Sequence, residues 1–309
     1  MAILIYKGER DITRWLKALK AVDDTLDIRV YPEVGNAEEI TFALTWPYPH
    51  GLWNDFPHLK AISSIGAGVS HILEDETLDR DMPILKLTDS RLNQSIWEYL
   101  LATISYQAMQ LHRYQKQQGE KVWAELPPRG FDSVTVGIYG LGSIGKFVAE
   151  RLAAEGFVVK GFANSPKEIA GVEVYTPSEV TDTVMQSLDI VVSILPLTAQ
   201  TEGFFDQAFF ARLKKGATFI NVGRGAQLIE VDLIEALESG QLSHAWLDVL
   251  VQEPLREDHP FWIHPQVSTT PHIASITDPL SVAAQIVENY HAAMQGNALH
   301  NVVDREMGY

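Results

Sequence analysis

The sequence predicts an α/β protein of two domains, each a parallel sheet flanked by helices. Short β-rich runs alternate with helical patterns twice over, once on each side of a long helical stretch. The chain has 309 residues, more than one hydrophobic core usually serves. In the second half an apolar run ends in Gly140-Leu-Gly142-Ser-Ile-Gly145 and passes directly into a helical pattern, as at the entry to a doubly wound sheet.

Taken in order, Ala2–Tyr6 reads as the first strand, and Asp11 as the cap of a helix running to about residue 21. Residues 28–31, 42–45, 59–65 and 84–87 are further short strands. A helical pattern begins at Asp89 or Ser90 and runs to about Tyr114, with Ile96, Leu100, Leu101, Ile104, Ala108 and Leu111 keeping a 3.6-residue period. A helix of that length is a natural connector between two domains. Residues 119–131, with Pro127-Pro128, form the loop after it. The second alternation gives strands at 134–139, 158–162, 189–194, 217–222, 245–249 and 267–269, with helices at 143–155, 206–213 and 230–238 between them. Six strands with crossover helices match a doubly wound dinucleotide-binding fold. Residues 280–294 form a last amphipathic helix.

Composition narrows the function classes. The 46% apolar and 21% charged content is that of an ordinary soluble protein, and no apolar run approaches the roughly 20 residues of a membrane span. The opening residues lack the features of a secretory leader. With no cysteine there is no disulfide, thiolate zinc site or cysteine nucleophile, which suits the cytoplasm. No HExxH helix, GxSxG elbow or zinc-ligand cluster is present, so no metal is expected. The formal net charge of −16 repels nucleic acid and anionic membranes. A small anionic substrate must then be attracted locally, by a few aimed groups.

The glycine motif points to a dinucleotide. Gly140 permits the tight turn, Gly142 lets the backbone approach a pyrophosphate, and Gly145 lets helix and strand pack closely. The N–H groups of Ser143 and Ile144 then open the helix and face the phosphates. Binders of NAD usually end the second strand with an acid for the ribose hydroxyls. Here that end reads Gly161-Phe-Ala-Asn164-Ser165-Pro-Lys167, with no acid before Glu168. Asn164, Ser165 and Lys167 suit a 2′-phosphate, so NADP(H) is favoured over NAD(H).

Three side chains downstream have the chemistry of a carbonyl reductase. Arg224 directly follows a strand, between Gly223 and Gly225, and a guanidinium there can hold a carboxylate or polarise a ketone oxygen. His272 follows the last strand and is the best placed of ten histidines to act as an acid. Glu253, in the preceding loop, is the carboxylate to orient it and keep it protonated. Asp248 ends a strand and either bonds the nicotinamide carboxamide or caps a loop. In the first half, the small residues from Ser64 to Ser70, with Ala67, Gly68 and Val69 at the centre, make a candidate nest for a substrate carboxylate. Trp46 is a candidate wall of that pocket.

With these residues in place, the chain resembles the D-isomer-specific 2-hydroxyacid dehydrogenase family over essentially its whole length. GLGSIG (140–145), LPLTAQTEG (195–203), NVGRG (221–225), LDV…EP (247–254) and TPHIAS (270–275) carry the likeness. A narrower similarity, to the family's glyoxylate/hydroxypyruvate reductases, rests on residues 44–49, 64–72, 89–99 and 303–309. The resemblance implies a doubly wound Rossmann domain, residues 100–275, inserted in a flavodoxin-like substrate domain, residues 1–99 plus 276–309. It implies Arg224, Glu253 and His272 as the catalytic set. To the cofactor residues it adds Leu195, Pro196, Thr201, Val222, Gly223, Arg224, Asp248 and His272. To the substrate it assigns Trp46, Ala67, Gly68, Val69, Arg224 and His272. The implied reaction is reduction of glyoxylate or hydroxypyruvate to the D-2-hydroxy acid by hydride from NADPH, with His272 as general acid, in a homodimer built through the nucleotide domain. The alternatives are a dehydrogenase of the same fold for another 2-hydroxy acid, and a non-catalytic NAD(P)-sensing protein.

Overall fold

The computed structural model describes residues 1–8, 11–66 and 68–305. Contacts divide the chain into two units, Met1–Leu92 with Ile276–Tyr309, and Asn93–Ser275.

The first unit holds β1 (Ala2–Tyr6), β2 (Ile28–Val30), β3 (Ile40–Thr45), β4 (Ala61–Ser64) and β5 (Ile84–Leu85) in one parallel sheet of order β2-β1-β3-β4-β5. This is the flavodoxin-like order. Its central strands β1 and β3 are buried almost end to end and mostly apolar because both faces are covered. Alternate residues sort between the faces: Ile3 and Ile5 join Phe42 and Leu44 in one cluster, while Ala2 and Leu4 join Ala43, Ile62 and Trp53 in the other. Helix α1 (Thr13–Val22) starts one residue later than expected. Asp11 does not occupy the cap position; its Oδ1 accepts from the Thr13 N–H and hydroxyl at 2.9 and 2.7 Å, and Ile12 stands at the cap. A short helix, α2 (Ser70–Leu73), follows β4.

The predicted continuous helix from residue 90 to 114 is in fact two. Helix α3 (Ser90–Ala108) ends before Gln110, which takes a left-handed conformation with φ of 59°, and α4 (Leu111–Glu120) begins after it. The apolar period running through Leu111 hid this break, but Leu111 is 38% exposed and belongs to no core. Ile96, Leu100, Ile104 and Ala108 of α3 pack with Val136, Ile138 and Val148 in the second unit's largest cluster.

The second unit's sheet has seven strands, not six. They are β6 (Thr135–Tyr139), β7 (Val158–Phe162), β8 (Val172–Tyr175), β9 (Ile190–Ser193), β10 (Ala217–Asn221), β11 (Leu242–Leu247) and β12 (Val267–Thr269). All pair parallel in the order β12-β11-β10-β9-β6-β7-β8. The unpredicted strand is β8, a four-residue edge strand reached from β7 without any helix. Strand–helix alternation therefore left no sign of it. Helices α5 (Ser143–Ala154), α6 (Asp182–Met185), α7 (Gln207–Ala211) and α8 (Glu230–Glu238) make the crossovers up to β11, and a single 3-10 turn (Pro260–Trp262) lies between β11 and β12. The chain runs from β6 to one side and from β9 to the other, so the strand order reverses between them. Ligands of open α/β sheets bind at such a switch point.

Helix α9 (Pro279–Gln295) returns the chain to the first unit, where Val282, Ile286 and Tyr290 join Leu19 and Phe42. Its ends follow from sequence: the Asp278 side chain caps the Leu280 N–H, Pro279 takes the first turn, and Gly296 closes it at φ 72°. Among the described residues no helix is long and apolar enough to cross a membrane.

One titration is built into the second sheet. His244 on β11 is buried, with Nε2 at 3.0 Å from the Ser268 hydroxyl. Burial first, then the neighbouring His112 and His264, pushes its imidazole from 6.5 down to about 4. Between those values the unfolded chain binds the proton and the folded one does not, so stability falls as pH drops through that window. The loss is about 1.4 kcal/mol per pH unit, or about 2 kcal/mol at pH 5. Urea unfolding of the wild type at pH 7 and pH 5 is expected to show this loss, and His244→Gln is expected to flatten it.

Candidate active site

The glycine turn joins β6 to α5, and its three glycines divide the work. Gly140 has φ of +100°, and a Cβ on it would stand 2.8 Å from the Ile194 carbonyl oxygen. A Cβ on Gly145 would stand 1.8 Å from the Gly140 carbonyl oxygen. These two shape the turn and leave no room for a side chain. Gly142 differs: a Cβ there would meet nothing within 4 Å, so the turn is open on the side where a pyrophosphate approaches. Gly142 is also the N-cap of α5 and makes no side-chain cap, so Ser143 and Ile144 begin the helix with N–H groups aimed past it.

Beyond β7 the chain is exposed through Asn164, Ser165 and Lys167. The Lys167 Nζ donates to the Leu141 carbonyl at 2.7 Å, which holds its ammonium beside the glycine turn. No carboxylate lies between Phe162 and Glu168. An open pyrophosphate approach with a cation and no acid at the second strand end fits NADP(H).

The loops after β9 and β10 come next along the same edge. Leu195 and Pro196 follow β9, and the Thr201 hydroxyl donates to the Pro196 carbonyl at 2.7 Å, closing that loop on itself. Val222 directly follows β10, buried, with its N–H on the Ser193 carbonyl. Gly223 and Arg224 then turn away from the strand. The flanking glycines answer to neighbouring backbone: a Cβ on Gly225 would lie 2.0 Å from the Leu250 carbonyl, and one on Gly223 would lie 2.9 Å from the Leu195 carbonyl oxygen. Gln227, which carried no signal in the sequence, is fully buried and bonds to Leu195, Pro196, Ser193 and Arg224.

The loop after β12 carries His272 in a left-handed conformation, φ 56°. Asp248, only 1% exposed, sets that loop. Its Oδ1 accepts from the Thr270 hydroxyl at 2.6 Å and the Ile273 N–H at 2.8 Å, and its Oδ2 accepts from the Ala274 N–H at 2.9 Å. Its backbone carbonyl takes the His272 N–H at 2.9 Å. These bonds are those of a loop cap, one of the two readings of Asp248. Tyr99 extends the chain: the Thr270 hydroxyl gives its proton to Asp248, so it accepts from the Tyr99 phenol, 2.9 Å away.

His272 Nδ1 meets Glu253 Oε2 at 2.9 Å. Burial alone would raise the Glu253 carboxyl. The His272 hydrogen bond and charge, the Leu250 N–H at 3.0 Å and the Arg224 charge outweigh it and hold the group below the usual carboxylate range. The acid is therefore ionised near neutral pH. Arg224, Glu253 and His272, from three separate loops, act on one another within one unit.

The substrate candidates of the first unit lie at the ends of β3 and β4. Trp46 packs over Gly66, where a Cβ would come within 2.7 Å of its ring, and lies 5.3 Å from the His71 ring. The Ser64 hydroxyl donates to the Gly68 carbonyl at 2.7 Å and bends the loop so that Val69 caps α2. Ala67 lies outside the described residues. Trp53 is a core residue.

Known proteins give the same constellation a family. Residues 101–274 match the family described as D-isomer specific 2-hydroxyacid dehydrogenase, NAD binding domain. Glyoxylate/hydroxypyruvate reductase A of Serratia proteamaculans is 38% identical, and that of Yersinia enterocolitica 36%, each match covering all of both chains. The chain belongs to the D-isomer-specific 2-hydroxyacid dehydrogenase family. This dehydrogenase is also similar to two solved structures. One is a family member from Xanthobacter autotrophicus Py2 in complex with NADPH and MES (TM-score 0.91, 36% identity, 100% and 99% of the two chains). The other is the NADPH-dependent glyoxylate/hydroxypyruvate reductase of Sinorhizobium meliloti in complex with NADP and sulfate (TM-score 0.91, 31% identity, 100% of both). The fold and the family place the chain among the NAD(P)-dependent dehydrogenases.

The glycine geometry separates folding from binding in this dehydrogenase. Gly145→Ala forces a Cβ into the Gly140 carbonyl and is expected to destabilise the protein by about 3 kcal/mol. Gly142→Ala meets no protein atom and is expected to keep the wild-type melting temperature while NADPH binding, read by fluorescence, falls about tenfold or more. Equal melting temperatures for the two variants would contradict this division.

Proposed function

We propose that this dehydrogenase reduces a small 2-keto acid, glyoxylate or hydroxypyruvate, to the D-2-hydroxy acid, with NADPH preferred over NADH. The observation that carries the reading is the 2.9 Å contact between His272 Nδ1 and Glu253 Oε2, beside Arg224. NADPH supplies the hydride, from C4 of its nicotinamide. Arg224 neutralises the substrate carboxylate and polarises the C2 ketone, its charge aimed at the oxygen where negative charge develops. With Nδ1 engaged by Glu253, His272 gives the proton to that oxygen from Nε2. Glu253, ionised, keeps the ring oriented and stabilises its cationic form.

The cofactor preference is supported by Lys167 beside the glycine turn, by the missing acid after β7, and by the NADP-bound relatives. The substrate is supported by the reductases to which the chain is similar. The same reading has the enzyme as a cytoplasmic homodimer. Supporting the dimer, Trp123 is fully exposed and Met109 and Val122 are about half exposed. Exposed apolar patches mark protein interfaces.

Steady-state rates with glyoxylate, hydroxypyruvate and pyruvate, each with both cofactors, test the reading. The first two with NADPH are expected to give the highest kcat/KM. His272→Ala is expected to lose about 10²–10⁴-fold in kcat and to keep NADPH binding within a few-fold. Wild-type turnover by that variant would remove the acid from the mechanism, and no turnover of any keto acid by the wild type would remove the reaction.

A further inference from the structure

Gln227 closes a short turn, Gly225–Gln227, and none of its surface is exposed. Its amide uses every hydrogen-bonding position it has. Oε1 accepts from the Ser193 hydroxyl at 3.1 Å and from the Arg224 backbone N–H at 3.2 Å. Nε2 donates to the Leu195 and Pro196 carbonyls, both at 2.9 Å. An amide offers two acceptor and two donor positions, and all four are taken. The orientation of the amide follows from its partners. Flipped, it would set its oxygen against two carbonyls and its NH2 against the Arg224 N–H.

The four partners come from three places: the last residue of β9, the loop after β9, and the loop after β10 that bears Arg224. Gly223 is interlocked with the same amide, since a Cβ on it would lie 2.7 Å from Gln227 Oε1. Moving the amide therefore moves the arginine's backbone and the Leu195–Pro196 loop together. Residues such as leucine fill the volume but take the amide's bonds from the Leu195 carbonyl and the Arg224 N–H and leave the Pro196 carbonyl to the Thr201 hydroxyl alone, and a part-buried polar group left without its partner costs more than the bond itself contributes.

We propose that Gln227 is a positioning residue that sets Arg224 and the loop at Leu195 and Pro196 as one rigid edge, and so governs both keto-acid turnover and NADPH binding. This rests on the proposed function for its turnover arm only. It acts through Arg224 and touches no reacting atom.

Two variants test it. Gln227→Met keeps the shape and removes all four bonds. It is expected to lower kcat/KM for glyoxylate about 10–100-fold, with KM raised, by displacing the guanidinium. The NADPH Kd, read by fluorescence, is expected to rise roughly 3–10-fold, the worth of one or two lost bonds. Gln227→Glu keeps the acceptor for Arg224 but turns an oxygen toward two carbonyls. Protonated, it restores one donor. Its kcat/KM relative to wild type is therefore expected to climb as pH falls from 8 to 5, whereas a merely structural defect gives a ratio that does not change with pH. Gln227→Met with kcat/KM and Kd within twofold of wild type overturns the proposal, as does a flat ratio for Gln227→Glu. Should Gln227→Met fail to fold, the Gln227→Glu profile decides. Should the wild type reduce no keto acid, the proposed function falls, and the NADPH Kd decides the role of Gln227 alone.

Discussion

The buried carboxylate of Asp248 is the interaction on which the reacting edge depends. It stands at the end of β11, almost without solvent, and three donors from the next loop converge on it. Hydrogen bonds to a buried charge contribute about 1.5–3 kcal/mol each, more than neutral ones. Together with the bond from the His272 N–H to its carbonyl, they hold a histidine at positive φ, a conformation that non-glycine residues rarely adopt. That backbone geometry delivers the imidazole to Glu253.

Topology does the gathering. In a parallel sheet every strand ends on the same edge, so residues directly after β6, β9, β10, β11 and β12 are collected there however far apart they stand in sequence. The reversal of strand order between β6 and β9 parts the loops at Gly140 and Ile194, which nonetheless touch closely enough to forbid a side chain on Gly140. Gln227 and Asp248 then fix the loops to one another from beneath. One does so with a neutral amide whose valences are complete, the other with a charge whose partners are all in one loop.

Most of this was legible in the sequence because the informative residues stand at strand ends with recognisable flanks. The glycine turn, Arg224 between two glycines, and His272 after the last strand are of this kind, and the strands of the first sheet fall where the apolar runs put them. The parts not legible share a physical reason as well. Strand β8 follows β7 with no helix to announce it. The break at Gln110 uses a left-handed residue that is not glycine, inside an unbroken apolar period. Asp11 accepts from the Thr13 N–H one residue ahead of the cap position, which Ile12 occupies. Gln227 is one glutamine among many, and only its burial and its four partners give it meaning. The two readings of Asp248 differ in what its oxygens touch, which no sequence pattern states.

The loop held by Asp248 presents His272 to Glu253 through Nδ1. Long-range ¹H–¹⁵N spectra of the His272 ring, at a pH where it is neutral, test this most directly, because the two tautomers give distinct nitrogen shifts. The wild type is expected to carry its proton on Nδ1, held by the ionised Glu253, with Nε2 unprotonated. A ring protonated on Nε2 in the wild type, or a tautomer unchanged in Glu253→Gln, would contradict it.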